Sequence, residues 1–162
     1  MTKIAIRIDD GQVRAALIAL IRAGADLSPA MREMSELLRE EAAAAFEKEA
    51  APDGAAWAPL SPVTVALRKK IGKGPRPILQ ITGGLVNSLT RAHGADFAAA
   101  GTNKIYAATH QFGAAKGEFG ATARGAPIPW GDIPARPFLG LSAEGAGDVV
   151  RILQHHLLEV TQ

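Results

Sequence analysis

Hydrophobic positions change their spacing several times along this chain, and each change marks an element. Ile4, Ile6 and Ile8 alternate with polar neighbours, the period of a half-buried strand over residues 3–9. Asp10 suits the N-cap of a following helix, in which Val13, Leu17, Leu20 and Ile21 fall on one side and Gly24 is the expected stop. Ser28-Pro29 reads as a serine cap with proline in the first turn, opening a helix that runs to about Ala50. At 1.5 Å per residue that helix is roughly 33 Å long. Met31, Met34, Leu38, Ala42, Ala45 and Phe46 form its apolar stripe, with Arg32, Glu33, Glu36, Arg39, Glu40, Glu47 and Lys48 facing water.

Ala51-Pro-Asp-Gly54 breaks the long helix, and Trp57 follows as a plug for one end of the core, its indole N–H requiring an acceptor. Ser61-Pro62 repeats the cap signature for a short helix from Val63 to about Lys70. Thr82 to Leu89 reads as a short capped helix with Leu85 and Leu89 on one face. Thr90–His93 and Phe97–Gly101 read as a hairpin turning at Gly94-Ala-Asp96. A short helix over Ile105–Gln111 would place Tyr106 and His110 one turn apart on the same side. Residues 113–126 hold four glycines and five alanines and read as a surface loop. A terminal helix from about Gly147 to Leu158, preceded by a cap within Ser142–Glu144, closes the chain. The resulting fold class is α+β: a small, mainly antiparallel sheet packed on one long helix, with shorter helices and a C-terminal helix.

A length of 162 residues suits one domain over 1–162, with mobile loops expected near 68–77 and 113–132. The absence of cysteine removes disulfides, thiolate nucleophiles and thiolate zinc sites. The first ten residues alternate instead of forming an apolar run, so no secretory leader is expected, and Ala15–Ile21 is far too short to span a bilayer. A soluble protein without membrane contact is the expectation.

Net charge is +2, but it is segregated: residues 1–60 carry −3, residues 61–136 carry +7 and residues 137–162 carry −2. Such blocks suit a nucleic acid, an acidic surface on a partner or identical subunit, or a solvated basic loop. Arg68, Lys69, Lys70, Lys73 and Arg76 form the densest basic stretch, with no acid among them. Lacking an aromatic residue for base stacking, they offer phosphate attraction alone, or a loop that orders on assembly.

Catalytic patterns are missing. No Gly-x-Ser-x-Gly elbow accompanies His110, so Ser88 and Ser142 read as structural, and no phosphate-binding glycine motif occurs. His155 and His156 diverge by about 100° on a helix and do not share a metal ion. Neither an enzymatic activity nor a cofactor or metal is expected.

Five of the eight aromatic residues (Tyr106, Phe112, Phe119, Trp130 and Phe138) fall between Gly101 and Gly140. Four ordered blocks carry the chain's most distinctive letters. They are Gly54-Ala-Ala-Trp57-Ala-Pro59-Leu60, Leu79-Gln-Ile-Thr82-Gly83-Gly-Leu85-Val-Asn-Ser88-Leu89, Tyr106-Ala-Ala-Thr-His110-Gln-Phe112-Gly113 and Ala135-Arg136-Pro137-Phe138-Leu139-Gly140. In this order they resemble the phage virion morphogenesis, or tail-completion, proteins of long-tailed bacteriophages. That resemblance implies a structural protein at the head-proximal end of a tail or neck, made in the bacterial host cytoplasm and retained in the virion. Its partners would be other copies of itself, in a ring-like homo-oligomer, and other tail or neck proteins. Tyr106, His110, Phe112, Arg136, Pro137, Phe138 and Leu139 are the candidate interface residues. Arg136, held extended before Pro137, should aim its guanidinium at a carboxylate, either in the long second helix or across a subunit boundary. The alternative is a nucleic-acid-binding module using the stretch from Arg68 to Arg76, with non-specific DNA contact.

Overall fold

The structure, a computed structural model, describes residues 11–74 and 77–159. Five helices and one hairpin follow in the order α1 (Gly11–Ala25), α2 (Ser28–Lys48), α3 (Pro62–Lys70), β1 (Leu89–His93), β2 (Ala98–Thr102), α4 (Ala107–Phe112) and α5 (Ala143–Glu159). A single 3-10 turn, Val86–Ser88, precedes β1. The class is α+β, and among the described residues the sheet is one antiparallel hairpin. The strand expected over 3–9 and the Asp10 cap lie outside the described residues.

Helix α2 is the axis of the molecule. It lies across both hairpin strands on one side and packs along α5. Its buried face is Ala30, Met34, Ser35, Ala42, Ala45 and Phe46. Ser35 satisfies its hydroxyl inside the helix by donating to the Arg32 carbonyl at 2.7 Å. Alanines at the half-buried positions 98 and 100 of β2 keep the hairpin's side chains small where the helix crosses it. The start of α2 differs from expectation: Leu27 occupies the N-cap, and the Asp26 carboxylate accepts the Ser28 N–H at 3.0 Å. An ionised oxygen is a strong acceptor for an amide at a helix N-terminus. Hydrogen bonding from the Ser28 side chain first, and from its main-chain N–H second, holds the Asp26 carboxyl below its ordinary pKa.

The hairpin pairs Leu89 with Thr102 through to His93 with Ala98, and the Gly94 N–H closes the turn onto the Phe97 carbonyl at 2.9 Å. Ser61 caps α3 as expected, its hydroxyl accepting the Thr64 N–H at 3.2 Å. Ser142 caps α5 by accepting from the Gly145 N–H at 2.9 Å, so the helix starts at Ala143, four residues upstream of the expected start. Gly24 does not stop α1, which continues to Ala25 and packs against α5. Residues 82–88 form turns and a 3-10 segment in place of the expected short helix, because Gly83 takes a left-handed φ of 71° inside it.

The core sits at the C-terminal end of α2. Phe46 and Phe138 are fully buried, and Trp57, Leu85, Ala45 and Ala107 complete the cluster. Trp57 meets Phe46 edge-on with ring centroids 5.5 Å apart, and Phe138 meets it at 5.1 Å. Phe138→Ala should therefore lower the unfolding free energy by about 3–5 kcal/mol, read by chemical denaturation. A loss below 1 kcal/mol would mean that this ring is not central to the core.

Candidate functional site

The four sequence blocks converge on this one end of α2. Trp57 donates its indole N–H to the Pro137 carbonyl at 2.8 Å. In return, Arg136 donates Nε–H to the Ala58 carbonyl at 2.9 Å and Nη2–H to the Pro59 carbonyl at 3.1 Å. Gln80 donates to the Phe46 carbonyl at 2.8 Å, occupying an acceptor in the last turn of α2. Gln111 links the remaining two blocks. Its Oε1 accepts both the Phe138 and Leu139 N–H at 3.0 Å, and its Nε2 donates to the Leu139 carbonyl at 2.8 Å. The Arg136 N–H adds a bond to the His110 carbonyl at 2.7 Å. A glutamine side chain thus supplies the backbone-like partner that a neighbouring strand would give.

Gly113 is required by its backbone: φ is 80°, and a Cβ there would lie 2.8 Å from the Ile133 carbonyl oxygen.

Arg136 was expected to reach a carboxylate, in α2 or on a neighbouring subunit. Within its own chain it reaches no carboxylate of α2, and its side chain is buried against main-chain carbonyls. Burial, and then the nearby Arg68 charge, push its pKa down from the usual arginine value. The irregular Trp57-Ala-Pro turn belongs to no named helix or strand, so its carbonyls are open to a planar, forked donor. Arg136 and Phe138 are interior, Pro137 and Leu139 are half-buried, and only Ala135 and Gly140 at the ends of the block are exposed. Arg68 is also buried and donates to the Pro77 carbonyl at 3.3 Å, which removes it from the exposed basic stretch. Arg68, Lys69 and Lys70 belong to α3 and not to a loop. Lys69, Lys70 and Lys73 are exposed, and Arg76 lies outside the described residues.

His110 packs beside Tyr106, with ring centroids 6.0 Å apart and planes at 76°. Its main chain is hydrogen-bonded, but Nδ1 is sealed from solvent without a partner. Burial first, and the Arg136 charge second, lower its pKa below the ordinary histidine value. Ser88 donates to the Leu85 carbonyl at 2.6 Å, so both serines weighed as nucleophiles serve local structure. Among the described residues no group of three or more His, Cys, Asp or Glu side chains is placed to hold a metal ion.

The outer candidates are different. Tyr106 is 42% exposed and Phe112 79%, and between them and Phe119 runs a groove of about 460 Å³. Its far wall belongs to residues 114–133, which form a two-limbed arm where a plain loop was expected. Bridges join Ala114 to Ile133 and Ala121 to Pro127, and Phe119 and Ile128 are cross-bonded to Ile128 and Gly120 at 2.7 and 2.8 Å. Ile105, Phe119 and Trp130 stand out from this region as exposed large side chains. Gln111 and Ile105 were the residues that sequence reading passed over. Gln111 sits inside the His-Gln-Phe-Gly block, and Ile105 adjoins Tyr106, so motif membership and adjacency were the available signals.

Across the described residues, ten apolar residues are buried while eighteen large hydrophobic ones are exposed. The chain's accessible surface is 11430 Å². A compact monomer of 16.9 kDa would expose about 7,700 Å². Allowing about 2,500 Å² for the residues outside the described set leaves about 1,200 Å². Apolar surface is therefore left over for contacts with other molecules.

A small subunit with an interior built by its signature blocks and an uncovered apolar exterior is suited to assembly into a larger particle. The model of the phage virion morphogenesis family matches residues 8–158, and the chain belongs to that family. Its relatives include the putative capsid assembly protein G of Escherichia phage Mu, 39% identical over 119 residues, covering 73% of this chain and 71% of that one. The Mu-like prophage FluMu G protein 1 of Haemophilus influenzae is 33% identical over 147 residues, 90% and 87% of the two chains. FluMu G protein 2 is 33% identical over 154 residues, 94% and 95%. No solved structure matches the chain. The role is thus in phage virion assembly. No helix among the described residues is long and apolar enough to cross a membrane.

Two substitutions check the assignment of Arg136 and His110. Arg136→Lys keeps the charge but cannot span both carbonyls, and should cost about 1–3 kcal/mol of unfolding free energy. Because the His110 pKa is lower folded than unfolded, the unfolded chain takes up the proton first as pH falls. Its contribution to stability is whole above about pH 6.5 and is lost as pH falls through the folded value. His110→Gln should flatten the decline in denaturation midpoint below that pH, and an unchanged slope would contradict the buried, neutral assignment.

Proposed function

We propose that the protein completes the head-proximal end of a phage tail or neck so that it can join the head, acting by self-association and docking. The observation that carries this reading is the apolar exterior, concentrated on α4 and the 114–133 arm. Phe112 at 79% and Trp130 at 71% exposure have no role in the chain's own core. A standard interface buries about 800 Å² on each partner, and a subunit with two neighbours needs about twice that. The surplus of about 1,200 Å² exceeds what one such contact needs, and the second draws on ordinary exposed surface. Aromatic side chains give such a contact large area at low entropic cost. The partners are further copies of this chain and the tail or neck proteins on which they sit. The phage Mu relative bears the name capsid assembly protein, and a junction protein would meet the capsid from its tail side. The finished protein would reside in the tail or neck of the virion after assembly in the bacterial cytoplasm.

Electron microscopy of lysates from a phage lacking this gene tests the reading. Filled heads and finished tails, formed separately and unjoined, are the expected result. Absent or aberrant heads would place the protein at an earlier step and overturn it. Phe112→Asp supplied in trans should fail to restore joining while folding normally, since its side chain lies outside the core.

A further inference from the structure

Helix α3 is nearly uncovered by its own chain. Val63, Val65, Leu67 and Ile71 are each at least half exposed, whereas Arg68 turns inward and ties the helix to the Pro77 carbonyl. The extensive packing of α2 is with the hairpin and α5, and α3 takes no part in it. Val63, Leu67 and Ile71 recur every four residues, so they form one apolar stripe. Lys69, Lys70 and Lys73 stand around its C-terminal end. On the opposite account, α2 and α5 leave between them a groove of about 500 Å³. Leu37 and Ile152 line it as apolar residues, and Glu33, Glu36, Glu40 and Asp148 supply four carboxylates. Arg151, on the same wall, is already paired with Asp148, and His155 faces Glu159 at 3.6 Å. Glu36 is engaged by Arg39 and Arg91, so Glu33 and Glu40 are the acids most open to an incoming cation.

The two surfaces agree in length and charge. The stripe from Val63 to Ile71 spans about 12 Å, and the acidic ridge from Glu33 to Glu40 about 10 Å. Three exposed lysines face a groove in which four carboxylates outnumber one guanidinium. An amphipathic helix laid in an apolar groove is a recurring recognition mode, and opposed charges fix its register. We infer that α3 of one copy docks into the α2–α5 groove of the next copy. Donor and acceptor are different patches, so the contact is head-to-tail, the kind that closes into a ring when the rotation permits. The segregation of charge along the chain, acidic before residue 61 and basic to 136, follows from this pairing. This inference rests on the self-association proposed above and names the surfaces that carry it.

The test is a charge swap on two exposed residues, Lys70→Glu and Glu40→Lys, with Lys73→Glu and Glu33→Lys as a second pair. Solution mass by light scattering is read across concentration, with circular dichroism as the check on folding. The inference expects an oligomer for the wild-type chain and association about tenfold or more weaker for each single reversal. The double reversal Lys70→Glu/Glu40→Lys within one chain should regain the wild-type mass, because every head-to-tail interface then pairs opposite charges whatever the copy number. A wild-type oligomer that neither pair of reversals disturbs would overturn the inference and leave self-association standing. A wild-type chain that stays monomeric at every concentration would remove self-association and the inference with it. Reversals that weaken binding to duplex DNA without changing the mass would overturn the inference in favour of a nucleic-acid role for the lysines.

Discussion

A buried guanidinium joins two segments that lie 78 residues apart in the chain. Arg136 bonds the Ala58 and Pro59 carbonyls, while the Trp57 indole bonds the Pro137 carbonyl in the reverse direction. An unmade hydrogen bond at a buried polar group costs about 1–3 kcal/mol, so neither segment can be buried without the other. This exchange brings Phe138 and Trp57 onto Phe46 from either side. Gln111 then pins the chain on the far side of Phe138 by its three bonds to residues 138 and 139. The core is small, and these polar contacts give it a single arrangement that apolar burial alone would not select.

The consequence is a division between the letters that mark the family and the surface that meets other molecules. Trp57, Gln80, Gln111, Arg136 and Phe138 are spent on the interior. Tyr106 and Phe112 stand at the two ends of the short helix that carries His110 and Gln111, and both are exposed. Helix α4 thereby couples the two: one face is locked to the core, and the other presents aromatic rings beside the 114–133 arm. A partner pressing on Phe112 would press on a rigid element, which is the property that a joint between large assemblies requires.

Much of this was legible in the sequence because it depends on side-chain identity and spacing. The long helix, the hairpin, the Ser61 and Ser142 caps, the buried Trp57 with its acceptor, and the Tyr106–His110 contact all follow from residue type at a fixed period. What could not be read depends on main-chain groups, which no letter encodes. Arg136 looked for a carboxylate because carboxylates are visible as Asp and Glu, whereas its true partners are two carbonyls. Arg68 counted as a surface charge for the same reason. The arm over 114–133 is held by N–H to carbonyl bonds such as those joining Ala114 to Ile133 and Phe119 to Ile128, in a glycine- and alanine-rich stretch whose side chains show no alternation. Ser28 lies inside α2 instead of capping it, because the helix begins one residue earlier than the Ser-Pro signature indicates, with Leu27 at the N-cap.

Amide hydrogen exchange, compared between the isolated chain and assembled particles, tests the central claim most directly. The account predicts that the amides of Arg136, Phe138 and Leu139 are already protected in the isolated chain, exchanging only through global unfolding, and change little on assembly. The amides of the 114–133 arm should exchange faster in the isolated chain and slow sharply in the particle. Rapid exchange at 136–139 in the isolated chain, with protection gained only in the particle, would contradict the account. It would make the Arg136–Phe138 block an assembly surface instead of the lock of the fold.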